Sequence, residues 1–85
     1  MEFAEQWNRA RWASRRGLLE LDLLLSPFVE AEFERLDEVQ RELYRELLQF
    51  DDQDLMEWIM GRGAPEDDRY LPILDAIRHV HRIGL

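Results

Sequence analysis

The chain has no cysteine, no lysine, no apolar run long enough to cross a bilayer and no apolar–polar alternation long enough for a strand. Without cysteine there is no disulfide scaffold, no thiolate metal site and no catalytic thiol. That composition is compatible with a reducing compartment. A membrane-spanning helix needs roughly 18 consecutive apolar residues, and no segment reaches that length. The first residues, Met1-Glu2-Phe3-Ala4-Glu5-Gln6-Trp7, have neither the basic region nor the apolar stretch of a signal peptide. They are acidic where a mitochondrial transit peptide is arginine-rich, so a cytoplasmic location is expected. Positive charge is scarce as well. Eleven arginines face nineteen acidic residues, for a net charge of −8. Such a chain repels nucleic-acid phosphates and anionic membrane surfaces. A protein partner with a basic patch suits it better.

What is present suffices for a small folded domain. Apolar residues make up 46% of 85 residues, including three Trp, four Phe and two Tyr. That is too apolar for a disordered chain, and its length predicts one domain over residues 1–85 with a modest core. Helical spacing dominates, so the expected fold is all-α, a compact array of about five short helices. Short connections make sequential helices neighbours.

The first helix is expected from about Phe3 to Ser14, with a thin stripe of Phe3, Trp7, Ala10 or Arg11, and Ala13 or Ser14. A turn at Arg15 to Gly17 follows. The second begins near Gly17 and carries Leu18, Leu21, Leu24, Leu25, Phe28, Val29 and Phe33, a face wide enough for the central helix. Pro27 interrupts it, and a kinked but continuous helix to about Arg35 is expected. The third opens on a capping box, Asp37 with Gln40 three residues on, and its apolar positions are Val39, Leu43, Tyr44, Leu47 and Leu48. The fourth starts at Asp51 or Asp52, where Asp51, Asp52 and Asp54 suit the positive end of the helix dipole, and stops at Gly61. The fifth follows Gly63-Ala64-Pro65. A cap at Asp67 or Asp68 would leave Pro72 in the first turn, where it costs no helical bond. Its expected stripe is Leu71, Leu74, Ile77 and Val80 or His81.

Few residues invite chemistry. His79 and His81 stand two apart on a helix and point away from each other, so they cannot share a metal unaided. Asp51-Asp52-Gln53-Asp54 lacks the glycine and closing glutamate of a calcium loop. The hydroxyls of Ser14, Ser26, Tyr44 and Tyr70 have no neighbouring histidine in sequence, so an enzyme is not expected. Glu30, Glu32, Glu34, Asp37 and Glu38 form an acidic cluster that suits a solvated face or a partner's arginines. Trp12 and Trp58 are read as core or core-edge residues.

The most informative stretch is Arg15-Arg16-Gly17-Leu18-Leu19-Glu20-Leu21-Asp22. On a helix, Arg16 and Glu20 would share a face and pair across a bare Gly17. The segment Trp12-Ala13-Ser14-Arg15-Arg16-Gly17-Leu18-Leu19-Glu20-Leu21-Asp22 resembles the signature of the SdhE family, the FAD assembly (flavinylation) factors of succinate dehydrogenase. Its Arg-Gly-x-x-Glu motif is matched by Arg16, Gly17 and Glu20. Pro27-Phe28 with Glu30 and Glu32, Asp51-Asp52-Gln53-Asp54-Leu55 with Trp58, and Gly63-Ala64-Pro65 resemble further family segments in the same order. The sequence departs from many relatives at Ser14, where cysteine is frequent, and at Leu19, where a polar residue is common.

The resemblance implies an assembly chaperone. Its partner would be the flavoprotein subunit of succinate dehydrogenase, with fumarate reductase a further candidate. It would promote covalent FAD attachment while binding no cofactor stably itself, as a monomer or weak dimer in the bacterial cytoplasm. The implied contact centre is Arg16, Gly17 and Glu20, with Arg15, Asp22, Asp51, Asp52 and Asp54 as a rim. Direct FAD binding or delivery and an antitoxin-like regulatory module are the alternatives.

Overall fold

A computed structural model describes residues 2–83. Five α-helices form in chain order: α1 (Phe3–Ala13), α2 (Leu19–Glu32), α3 (Glu38–Leu47), α4 (Asp52–Ile59) and α5 (Leu71–Val80). Short 3-10 turns follow α2 at Phe33–Arg35 and precede α5 at Asp68–Tyr70. No strand occurs among the described residues, and the globule has a radius of gyration of 11.9 Å.

Local chemistry accounts for the helix ends. Asp37 accepts from the backbone N–H of Gln40 at 2.8 Å, and the Gln40 side chain accepts from the N–H of Asp37 at 3.0 Å. This is the expected capping box, and it satisfies two donors that the first turn of α3 leaves unpaired. Asp67 accepts from the N–H of Arg69 and opens the 3-10 turn that delivers Pro72 into the first turn of α5. Gly61 follows α4 with φ of 77°, a left-handed conformation that glycine adopts without a Cβ clash. Pro27 does not split α2. The carbonyl it deprives of a donor belongs to Leu23, which lies on the exposed side where water can serve instead. The α-helix ends at Glu32 rather than near Arg35, and the last turn tightens to 3-10.

Helix α2 is central and packs against α1, α4 and α5. Its Leu21, Leu25, Phe28 and Val29 are buried, along with Phe33, Tyr44, Leu47, Leu55, Ile59, Ile73, Leu74 and Ile77. The rings of Phe28 and Tyr44 lie 5.3 Å apart, and those of Phe50 and Trp58 meet edge-on at 5.0 Å. Trp58 is thus at the core edge, as expected. Two apolar expectations fail. Leu71 is exposed while Ile73 takes the buried place on α5, and the apolar Val39 of α3 is 69% exposed too. Trp12 is 78% exposed instead of packing in or beside the core. The reason lies in helical phase. Phe3, Trp7, Ala10 and Ser14 follow a spacing of 4, 3 and 4 along one face, and Trp12 falls on the opposite one.

One polar side chain is fully buried among the described residues, that of Ser14. Its hydroxyl donates to the Ala10 carbonyl at 2.7 Å and lies 2.6 Å from the Tyr44 hydroxyl. The serine proton is committed, so Tyr44 donates to Ser14. Burial pushes the Tyr44 phenol above the ordinary tyrosine range. His81 ties the end of the chain to α2. Its Nε2 stands 2.6 Å from the Leu24 carbonyl oxygen, which places the ring proton on Nε2. His79 is exposed.

Candidate functional site: the turn between α1 and α2

The segment between α1 and α2 is built around Arg16. Its guanidinium donates to the carbonyl of Ala13 at 2.8 Å, Leu48 at 3.0 Å and Phe50 at 3.1 Å. Its Nε donates to Asp52 at 2.9 Å. Ala13 ends α1 and Leu48 caps α3, so Arg16 sits where two helix C-termini converge with their unpaired carbonyls. Asp52 opens α4, and its second oxygen accepts from the N–H of Leu18 at 3.1 Å. The side chain of Arg16 is 14% exposed. A guanidinium suits this place because its donors fan out in a plane.

The expected Arg16–Glu20 pair does not form. Leu18 is extended, with φ of −76° and ψ of 113°, and α2 begins only at Leu19. Arg16 and Glu20 therefore do not share a helical face, and the guanidinium is committed to its own chain.

Asp22 organises the other side of the turn. One carboxylate oxygen accepts from the N–H of Arg16 at 3.0 Å, from Arg15 Nε at 3.1 Å and from the Ser26 hydroxyl at 3.3 Å. The Arg16 N–H above all, with Arg15 and Ser26 beside it, holds the Asp22 carboxyl below its usual range. The Leu18 N–H and Arg16 do the same for Asp52. Two segments singled out in the sequence, residues 15–22 and 51–54, are thus joined by Arg16 and Asp52 into one hydrogen-bonded unit.

Gly17 and Glu20 stand apart from that unit. Gly17 is exposed, its φ is not left-handed, and a Cβ built on it would meet nothing within 4 Å. The fold of the chain itself does not require glycine there. Glu20 is exposed, and its carboxylate bonds to no other described residue. Asp51 and Asp54 are exposed at the start of α4, and neither side chain caps the helix.

Beside this turn lies a surface that the sequence reading missed. Leu19 is 64% and Leu23 60% exposed, one turn apart on α2, and Trp12 completes an apolar trio at the same end of the α1–α2 hairpin. The signal was available in helical phase. Leu19 and Leu23 fall out of step with Leu21, Leu25 and Phe28, as Trp12 does on α1.

The family described as the flavinator of succinate dehydrogenase, Sdh5, matches residues 8–81. The FAD assembly factor SdhE of Pseudomonas syringae pv. syringae is 53% identical over 60 residues, 71% of each chain. The FAD assembly factor SdhE of Aliivibrio fischeri is 40% identical over 77 residues, 91% of this chain and 90% of its own. The solution structure of a UPF0350 protein superimposes with a TM-score of 0.79 at 40% identity, covering 96% of this chain and 87% of that one. The motif residues, the helical fold and these similarities converge: the chain belongs to the Sdh5/SdhE family of FAD assembly factors.

Proposed function

We propose that the protein is an assembly chaperone that binds the flavoprotein subunit of succinate dehydrogenase and promotes covalent attachment of FAD to it. Fumarate reductase, as a related flavoprotein, is a second client in this reading. The observation that carries it is the pairing of a fixed frame with two uncommitted residues. Arg16, Asp22 and Asp52 hold the turn, while Gly17 offers bare backbone and Glu20 a free carboxylate. Gly17 lets a client surface approach the backbone closely, and Glu20 accepts hydrogen bonds from a client cation. Arg15, Asp51 and Asp54 form a charged rim. Arg16, Asp22 and Asp52 serve that contact from within, by holding its shape.

The protein does no chemistry of its own in this reading. It biases the client toward the conformation that aligns flavin and acceptor side chain, a population shift that supplies proximity. FAD stays on the client. Four of the five helix N-termini, the ordinary cradle for a pyrophosphate, carry carboxylates in their first turn: Glu5 on α1, Glu20 and Asp22 on α2, Glu38 on α3, and Asp52 and Asp54 on α4. Those groups repel a dinucleotide's phosphates. The protein acts in the bacterial cytoplasm as a monomer or weak dimer.

In-gel fluorescence of covalent flavin tests the proposal. The client subunit is expressed alone, with the wild type, or with Glu20→Ala or Gly17→Arg. The wild type is expected to raise covalent flavin several-fold. Both variants should keep the wild-type circular dichroism and melting temperature and lose the stimulation. Full stimulation by both folded variants would refute the site, and no stimulation by the wild type would refute the function.

A further inference from the structure

The apolar trio beside the turn has no use within the chain. Trp12, Leu19 and Leu23 are the three large apolar side chains of the α1–α2 hairpin that stand mostly in water. Ala10 on α1 and Leu21, Leu25, Phe28 and Val29 on α2 supply the buried contacts of these helices. Single exposed apolar residues are ordinary, but a cluster of large ones marks a contact surface.

The trio also borders a groove. Leu19 and Leu23 lie on the same stripe of α2 as Ser26 and Glu30, by the helical spacing of 4, 3 and 4. Ser26 and Glu30 form the α2 wall of a cleft of about 320 Å³, Arg11 and Trp12 of α1 form the opposite wall, and Arg15 of the turn closes one end. Leu19 adjoins Glu20 in sequence, and Leu23 follows Glu20 by three residues on the helix. The apolar side chains of α2 therefore adjoin the exposed Glu20 carboxylate.

We propose that Trp12, Leu19 and Leu23 are the apolar anchors of the client contact, and that the flavoprotein subunit meets them with an apolar segment carrying a cation opposite Glu20. This rests on the assembly reading above. Two observations select that occupant. Leu19 and Leu23 flank Glu20 on α2, so a partner that reaches Glu20 also covers them. Glu20 has no partner among the described residues, and once water is excluded around it a cation must match its charge. The layout is that of a specific interface, with an aromatic and aliphatic centre and a charged rim of Arg15 and Glu30.

The test is the affinity of the purified client subunit for the wild type, Trp12→Ala, Leu23→Ser and Val39→Ser, by isothermal titration calorimetry. Val39 is 69% exposed on α3, away from the trio, and serves as the control. Trp12→Ala and Leu23→Ser are expected to weaken binding at least tenfold with unchanged melting temperatures, and Val39→Ser to bind as the wild type does. Two exposed positions on different helices keep the test decisive if one variant folds poorly. Wild-type affinity in the folded Trp12 and Leu23 variants, with Glu20→Ala still impaired, overturns the anchors and leaves the assembly role standing. Failure of the wild type itself to bind overturns both.

Discussion

Arg16 shows how a residue of a family motif can be committed to its own fold. Its guanidinium bonds three carbonyls and one carboxylate, and its N–H bonds Asp22. Truncation leaves those carbonyls and the Asp52 carboxylate short of donors in a half-buried setting. Arg16→Ala is expected to cost about 1.5–3 kcal/mol, the range for hydrogen bonds to charged groups. For a chain of this size that lowers the melting temperature by roughly 10 °C or more, which a thermal scan will read. Glu20→Ala, with no internal partner to lose, is expected to leave the melting temperature unchanged. The contrast separates the two charged residues of the motif. Sequence alone could not make that separation. Spacing placed Arg16 and Glu20 on a common helical face, and it took the extended Leu18 to show that the helix starts too late for them to meet.

At the level of helices, most of the fold was legible because local signals and tertiary packing agree. The capping box of α3, the tolerated Pro72 of α5, the stop at Gly61 and the central place of α2 all appear as expected. Asp37→Ala is expected to cost about 1 kcal/mol, the usual value of an N-cap side chain, visible as a lower urea midpoint at unchanged slope. The misses share one cause. Apolar character alone points Trp12 and Leu71 inward, and the helix phase turns both outward. Which of several apolar stripes a short helix buries depends on its neighbours, and those neighbours are set by the fold. The partnership of Arg16 with Asp52, 36 residues apart, was illegible for the same reason. No local rule pairs residues across two helices.

Across the whole molecule, the charge balance sets the response to pH. The carboxyls of Asp22, Asp52 and Asp67 are held below their usual value by hydrogen bonds and arginines. Their folded pKa values lie under the unfolded ones, so their contribution is complete above the unfolded value near 4 and is lost as pH falls below it. The urea midpoint is expected to drop between pH 5 and pH 3. Asp52→Asn should flatten that profile, since it removes one of the groups that titrate. A variant profile as steep as the wild type would show that the loss comes from elsewhere.

The Arg16 frame also bears on when the protein becomes competent. The turn that presents Gly17 and Glu20 is complete in sequence by residue 22, but it draws its shape from Leu48, Phe50 and Asp52. A chain emerging from synthesis holds every letter of the motif long before it holds the form. In the proposed reading, recognition therefore waits for α3 to be in place and α4 to begin. Under the proposed assembly role, this dependence keeps the contact surface from forming until the copy has folded around it.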